Sequence, residues 1–141
     1  MRLFVACKIP GEIRARLAGV RSAVGDAPGL KWVEAQNLHV TLKFIGEVSP
    51  GRMSRLPGAL VESARGIRPF SLSVKGIGRF GSASAFRVLW AGLESGSGEL
   101  AALAASIDAA MGKLGFERET RPFSAHVTLA RARDGTSTAS V

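Results

Sequence analysis

The tetrapeptide His-Val-Thr-Leu occurs twice, at 39–42 and 126–129, and its two histidines are the only ones in the chain. Each copy sits in a β-prone run, 37–45 and 124–131, about one helical crossover after an earlier strand. Leu3 to His39 is 36 residues and Phe86 to His126 is 40. A chain written this way reads as a duplicated β-α-β unit, with halves at about 1–66 and 70–133 and a flexible polar tail at 134–141. Two such units, each a right-handed crossover, would set their paired sheets around one groove with quasi-twofold symmetry.

The intervening residues fit that plan. Leu3, Val5, Cys7 and Ile9 alternate with Arg2, Phe4, Ala6 and Lys8, the period of a strand over 2–9. Pro10 can open a helix, and Ile13, Leu17, Val20 and Val24 follow at helical spacing up to a Gly- and Pro-rich break at 25–29. Gly46 ends the first histidine run. In 50–68, Met53, Leu56 and Leu60 keep helical spacing but Pro57 interrupts it, which predicts a short or kinked helix. Strands are expected at 70–79 and 85–93, joined around Gly78, Gly81 and Ser82. After Gly96-Ser97-Gly98, the residues Leu100, Leu103, Ile107, Met111 and Leu114 form one helical stripe, with Gly115 as its left-handed cap. The fold class is therefore α+β.

A chain of 141 residues and 14.8 kDa fits one domain with a real core. Its 46% hydrophobic and 21% charged content is ordinary for a globular protein. The charge is not ordinary. Nineteen Lys and Arg against eleven Asp and Glu give a net +8, and fourteen of the nineteen are Arg, whose planar fork suits phosphate. That balance fits either a polyanionic partner such as RNA or a basic surface kept for solubility. Cys7 is the only cysteine, the N-terminus lacks a signal-peptide core, and no apolar run of transmembrane length exists. The expectation is a soluble cytoplasmic protein with no membrane partner.

In a strand, residues two apart share a face, so His39 lies beside Thr41 and His126 beside Thr128, while Val40 and Val127 point the other way. Cleaving a phosphodiester needs a base for the attacking oxygen and an acid for the leaving one, and imidazole serves either role near neutral pH. Threonine hydroxyls can donate to the non-bridging oxygens, where charge grows in the transition state. One such tetrapeptide is an ordinary strand. Two, holding every histidine at equivalent places in a repeat, are not. Two His and one Cys, with no carboxylate beside either His, fall short of the usual metal set, so neither metal nor other cofactor is expected.

These residues resemble the 2H phosphoesterases, specifically the bacterial and archaeal RNA 2′,3′-cyclic phosphodiesterases, also called 2′-5′ RNA ligases. The resemblance runs over nearly the whole chain: the opening Met-Arg-Leu-Phe-Val-Ala, Lys31-Trp32-Val33, the run from Asn37 to Glu47, Arg87 to Gly92, and Arg121 to Arg131. It implies a bilobal fold with antiparallel sheets and both His-x-Thr motifs facing a cleft, and hydrolysis of a 2′,3′-cyclic phosphate to the 2′-phosphate. It also implies His39 and His126 as acid and base and Thr41 and Thr128 as phosphate holders. Arg131 matches a family arginine suited to phosphate. Lys43, by alternation on the face of His39, either reaches phosphate or is solvated. Phe44 and Trp32 either stack on a base or pack in the core. Arg87 reads as structural.

The chain departs from the family pattern at Ala125, where proline is usual, and in its polar end at 134–141, where relatives carry further strand sequence. An open sheet edge there would favour weak self-association over a strict monomer. Two other functions use the same residues: ligation of tRNA halves through a 2′-5′ bond, and RNA-end binding without catalysis.

Overall fold

The computed structural model describes residues 1–24, 29–81 and 86–132, with the backbone alone at Gly81, Phe86 and Arg87. The expected tail at 134–141 and most of the break at 25–29 lie outside the described residues. Strand β1 (Arg2–Lys8) alternates exposed and half-buried residues along its whole length, as its sequence period requires. Helix α1 (Gly11–Val24) follows Pro10, whose carbonyl accepts from the Arg14 amide at 2.9 Å, and it buries Leu17. Strand β2 (Leu30–Trp32) leads through a one-turn 3-10 helix at Ala35–Asn37 into β3 (His39–Glu47). Gly46, at φ 89°, lies within β3 and does not end it.

The interrupted helix over 50–68 is two helices, α2 (Pro50–Met53) and α3 (Leu56–Ala64). Pro57 falls in the first turn of α3, where its missing N–H costs nothing, so the break comes just before it. Strand β4 runs from Val74 to Gly81, starting four residues and ending two residues later than the sequence period suggested. Before it, Ser73 bonds back to 94–95 instead: its amide donates to Ser95 O at 3.1 Å and its carbonyl accepts from Glu94 N at 2.8 Å. Strand β5 is Phe86–Leu93, helix α4 is Ser97–Lys113 and strand β6 is His126–Ala132. Gly115 caps α4 at φ 90°, the left-handed conformation that a side chain would resist.

The described chain forms two compact units, each drawing segments from both halves of the sequence. One comprises Met1–Cys7, Thr41–Ser73 and Glu94–Ala125. In it β1 lies beside β3, and α3 packs on α4. The α4 stripe buries Leu100, Ala104, Ile107 and Met111, with Leu56 of α3 also buried. Ser106 Oγ donates to Ser63 O at 2.7 Å, which satisfies a polar pair inside that contact. Leu100 has no exposed surface, so truncation to Ala would cost about 2–5 kcal/mol.

The other unit comprises Lys8–Val40, Val74–Leu93 and the chain from His126 on. Here β4, β5 and β6 form a consecutive antiparallel ladder, and β2 pairs antiparallel with β6. Val40, at the start of β3, pairs with Val127 of β6, and neither has exposed surface. Leu30, Leu89 and Ala130 form a buried cluster on one face of this sheet.

Candidate active site

Register decides which side chains share a face. Because Val40 pairs with Val127 in an antiparallel ladder, the residue before Val40 stands across from the residue after Val127. His39 is therefore across from Thr128, and His126 lies two residues before Thr128 on the same face. Thr41 follows two residues after His39 on β3. Both histidines and both threonines are half-buried, whereas both valines are buried.

The 3-10 turn ahead of β3 sets the first imidazole. It brings the carbonyl of Asn37 to 2.6 Å from His39 Nδ1. A neutral ring that donates Nδ1–H to this carbonyl carries its lone pair on Nε2, so the backbone selects the tautomer.

The second imidazole is set by aromatic rings. Trp90 of β5 pairs with Thr128 and Gly92 with His126, which puts Trp90 on the histidine face. Its ring centroid is 6.2 Å from that of His126. Phe80 of β4 lies 5.3 Å from Trp90 and meets His126 edge to face at 5.3 Å and 85°. Gly78 pairs with Trp90, and a Cβ there would collide with the indole carbons, so only glycine lets the ring cross β4.

One irregularity extends this face. Leu89 pairs with Ala130 but Trp90 pairs with Thr128, which leaves Leu129 as an extra residue on β6. Without the bulge, Ala130 would share the face of His126 and Arg131 would lie opposite. With it, Ala130 joins Leu30 and Leu89 in the buried cluster. Arg131, paired with Val88 and Lys31, turns onto the face of Trp90, Thr128 and His126 and is exposed.

The LigT like Phosphoesterase family model matches residues 8–90 and 92–140. The chain belongs to this family. The RNA 2′,3′-cyclic phosphodiesterase of Archaeoglobus fulgidus is 38% identical over 133 residues, covering 94% of this chain and 73% of the relative. The Escherichia coli protein of the same name is 32% identical over 133 residues, covering 92% of this chain and 71% of the relative. A crystal structure of a Thermus thermophilus protein superposes with a TM-score of 0.85 at 32% identity, over 96% of this chain and 76% of that one. E. coli LigT complexed with 3′-AMP gives 0.78 at 30% identity, over 96% and 75%. The expected α+β fold with antiparallel pairing and the phosphoesterase class both hold.

In this LigT-like phosphoesterase, two expected substrate contacts face elsewhere. Lys43 does not continue the His39–Thr41 face: Leu42 and Lys43 are both buried, which breaks the alternation. Lys43 Nζ donates to Asp108 Oδ1 at 2.6 Å and to Glu117 O at 2.9 Å. Asp108 also accepts from Arg118 Nε at 2.8 Å and from the Glu119 amide at 3.0 Å. Desolvation pushes the Asp108 carboxyl up, but the bonds from Lys43, Arg118 and the Glu119 amide outweigh it and hold the group well below the usual carboxylate range. Lys43 thus joins β3 to α4 and to the coil after it.

Trp32 pairs with Ala130, so it lies on the Leu89 face of the sheet, away from His126. There it lines a cleft of about 150 Å³ with Leu17, Arg21, Leu38 and others, and the Arg21 guanidinium sits 6.0 Å from its ring centroid. Phe44 is different. It is 65% exposed, with its ring 6.2 Å from that of Phe4.

Asn37, Phe80, Trp90 and Asp108 support the site although the sequence alone does not mark them as site residues. Asn37 and Trp90 belong to the family-like runs Asn37 to Glu47 and Arg87 to Gly92, and Phe80 is two residues from Gly78 on one strand face. Nothing local marks Asp108, which meets Lys43 from 65 positions away. Among the described residues no three His, Cys, Asp or Glu side chains come close enough to hold a metal ion, and no helix is long and apolar enough to cross a membrane.

Proposed function

We propose that this LigT-like phosphoesterase hydrolyses RNA or nucleoside 2′,3′-cyclic phosphate to the 2′-phosphate, with His39 and His126 as the acid–base pair. The observation that carries this is the Val40–Val127 register, which sets His39 across from Thr128 with His126 two residues away on the same face. The shared name of the A. fulgidus and E. coli relatives supplies the substrate class. One imidazole takes a proton from water as its oxygen bonds to phosphorus. The P–O3′ bond breaks and the other imidazole, protonated, gives its proton to O3′. The product keeps the phosphate on O2′.

Thr41 and Thr128 donate to the non-bridging oxygens, and Arg131 supplies positive charge on the face of Thr128. Phe44 offers an exposed ring to a base. Lys43 and Trp32 take no part in contacting substrate. No step calls for a metal ion.

Turnover of nucleoside 2′,3′-cyclic phosphates in excess chelator, with products followed by 31P NMR, tests the reading. Formation of the 2′-phosphate alone is expected. A 3′-phosphate product, or turnover abolished by chelator, would sink it. Joining of tRNA halves without hydrolysis would favour ligation instead.

A further inference from the structure

Phe80 touches a proposed catalytic imidazole without any part in the proton transfers. Its ring meets His126 edge to face at 5.3 Å, and Trp90 lies against it at 5.3 Å and 34°. With those contacts made, Phe80 is still 40% exposed. An exposed apolar side chain is common and by itself means little. This one is built in. Trp90, which supports it, crosses β4 only because residue 78 is glycine, and the indole Nε1 is buried with no acceptor among the described residues. Burying an unpaired N–H is a cost that a smaller apolar residue would avoid. Position 90 keeps a full indole nonetheless.

Phe80 pairs with Val88, and Val88 with Arg131, so ring and guanidinium lie on one face of three adjacent strands. Lys31 pairs with Arg131 from the other side and is exposed. The face therefore combines an open aromatic surface with two cations, beside the histidine and threonine of the second motif. That is the chemistry that tracks a single-stranded nucleic acid: cations follow the backbone and a ring takes a base.

We propose that Phe80 determines specificity for RNA ends, its ring stacking the base of the nucleotide 5′ to the one that carries the cyclic phosphate. The proposal rests on the cyclic phosphodiesterase reading, and it adds a preference for a strand over a single nucleotide. A ring that borders His126 cannot be reached by a remote part of the substrate. It is reached by the nucleotide joined to the 5′ side of the reacting one, which a nucleoside 2′,3′-cyclic phosphate lacks.

The test compares KM for a nucleoside 2′,3′-cyclic phosphate with KM for a dinucleotide ending in the same group. Wild type should favour the dinucleotide by roughly ten-fold, near the low end of what one base–aromatic stack supplies. Phe80→Leu, which keeps apolar bulk but loses the ring, should bring the ratio of the two KM values close to one, and Phe80→Trp should keep it. Equal KM values in wild type, or an unchanged ratio in a folded Phe80→Leu, would overturn the proposal. So would a loss of kcat in the same proportion on both substrates, which is the mark of a purely structural effect through His126. If wild type turned over neither substrate, the cyclic phosphodiesterase reading itself would fall, an outcome distinct from all of these.

Discussion

The two motif strands repeat one burial sequence. From His39 in β3 and from His126 in β6 the first seven residues run half-buried, buried, half-buried, buried, buried, exposed, half-buried. Two consecutive buried residues shift the alternation in each, so Phe44 and Arg131 occupy equivalent places, as do Lys43 and Ala130. What differs is the anchor at that fifth place. In β6 it is Ala130, packed without exposed surface against Leu30 and Leu89. In β3 it is a lysine only 5% exposed, held by Asp108 and by Glu117 O. The motif dictates how a strand presents its histidine and threonine; what lies behind the strand is free to be apolar or ionic. The ionic version carries a liability, because a buried ammonium that loses its carboxylate has no way back to water.

If the strands are equivalent in chemistry, His39→Ala and His126→Ala should each lower kcat by about 10²–10⁴-fold, the usual contribution of a positioned acid or base, with melting temperature unchanged. A collapse in only one variant would break the comparison at its centre.

If they differ in anchoring, Asp108→Ala should destabilise the protein by about 3–5 kcal/mol, as for a buried pair stripped of one partner, in urea unfolding at neutral pH. Its folded carboxyl is depressed, so this stabilisation is present above the unfolded value near 4 and drains away as pH falls below it toward the folded one. Wild type should therefore lose stability on acidification below about pH 4 more steeply than Asp108→Asn. Parallel acid slopes would remove the clamp from the account.

Thr41→Val and Thr128→Val sharpen the equivalence further. Each keeps the β-branched shape and removes one donor to phosphate, so kcat/KM should fall by roughly ten-fold or somewhat more, the value of a hydrogen bond to a charged group. Unequal losses would show which motif carries more of the phosphate.

The smallest effect is expected at Trp32, on the other face of the sheet. Trp32→Phe should change kcat/KM by no more than about two-fold. A larger fall would return Trp32 to the substrate side.

Much of this was legible in residue order. The apolar stripe of α4 and its Gly115 cap, the strand period of β1, and the break forced by Pro57 are local properties of the backbone and its side chains. The start of β4 was not, because 70–73 has strand-like residues but its bonding at Ser73 is decided by 94–95. Within the site, the first three positions of each motif followed from alternation alone: His and Thr together, Val behind.

The sequence by itself determined that two His-x-Thr strands exist, that each pairs an imidazole with a hydroxyl, and that both valines are buried. Tertiary structure alone decided the rest of each strand. Arg131 faces outward because β6 slips one residue against β5, and such a bulge belongs to a pairing between strands far apart in sequence, not to either strand. Lys43 turns inward because Asp108 waits there on α4, and whether a charge can be buried depends on its partner.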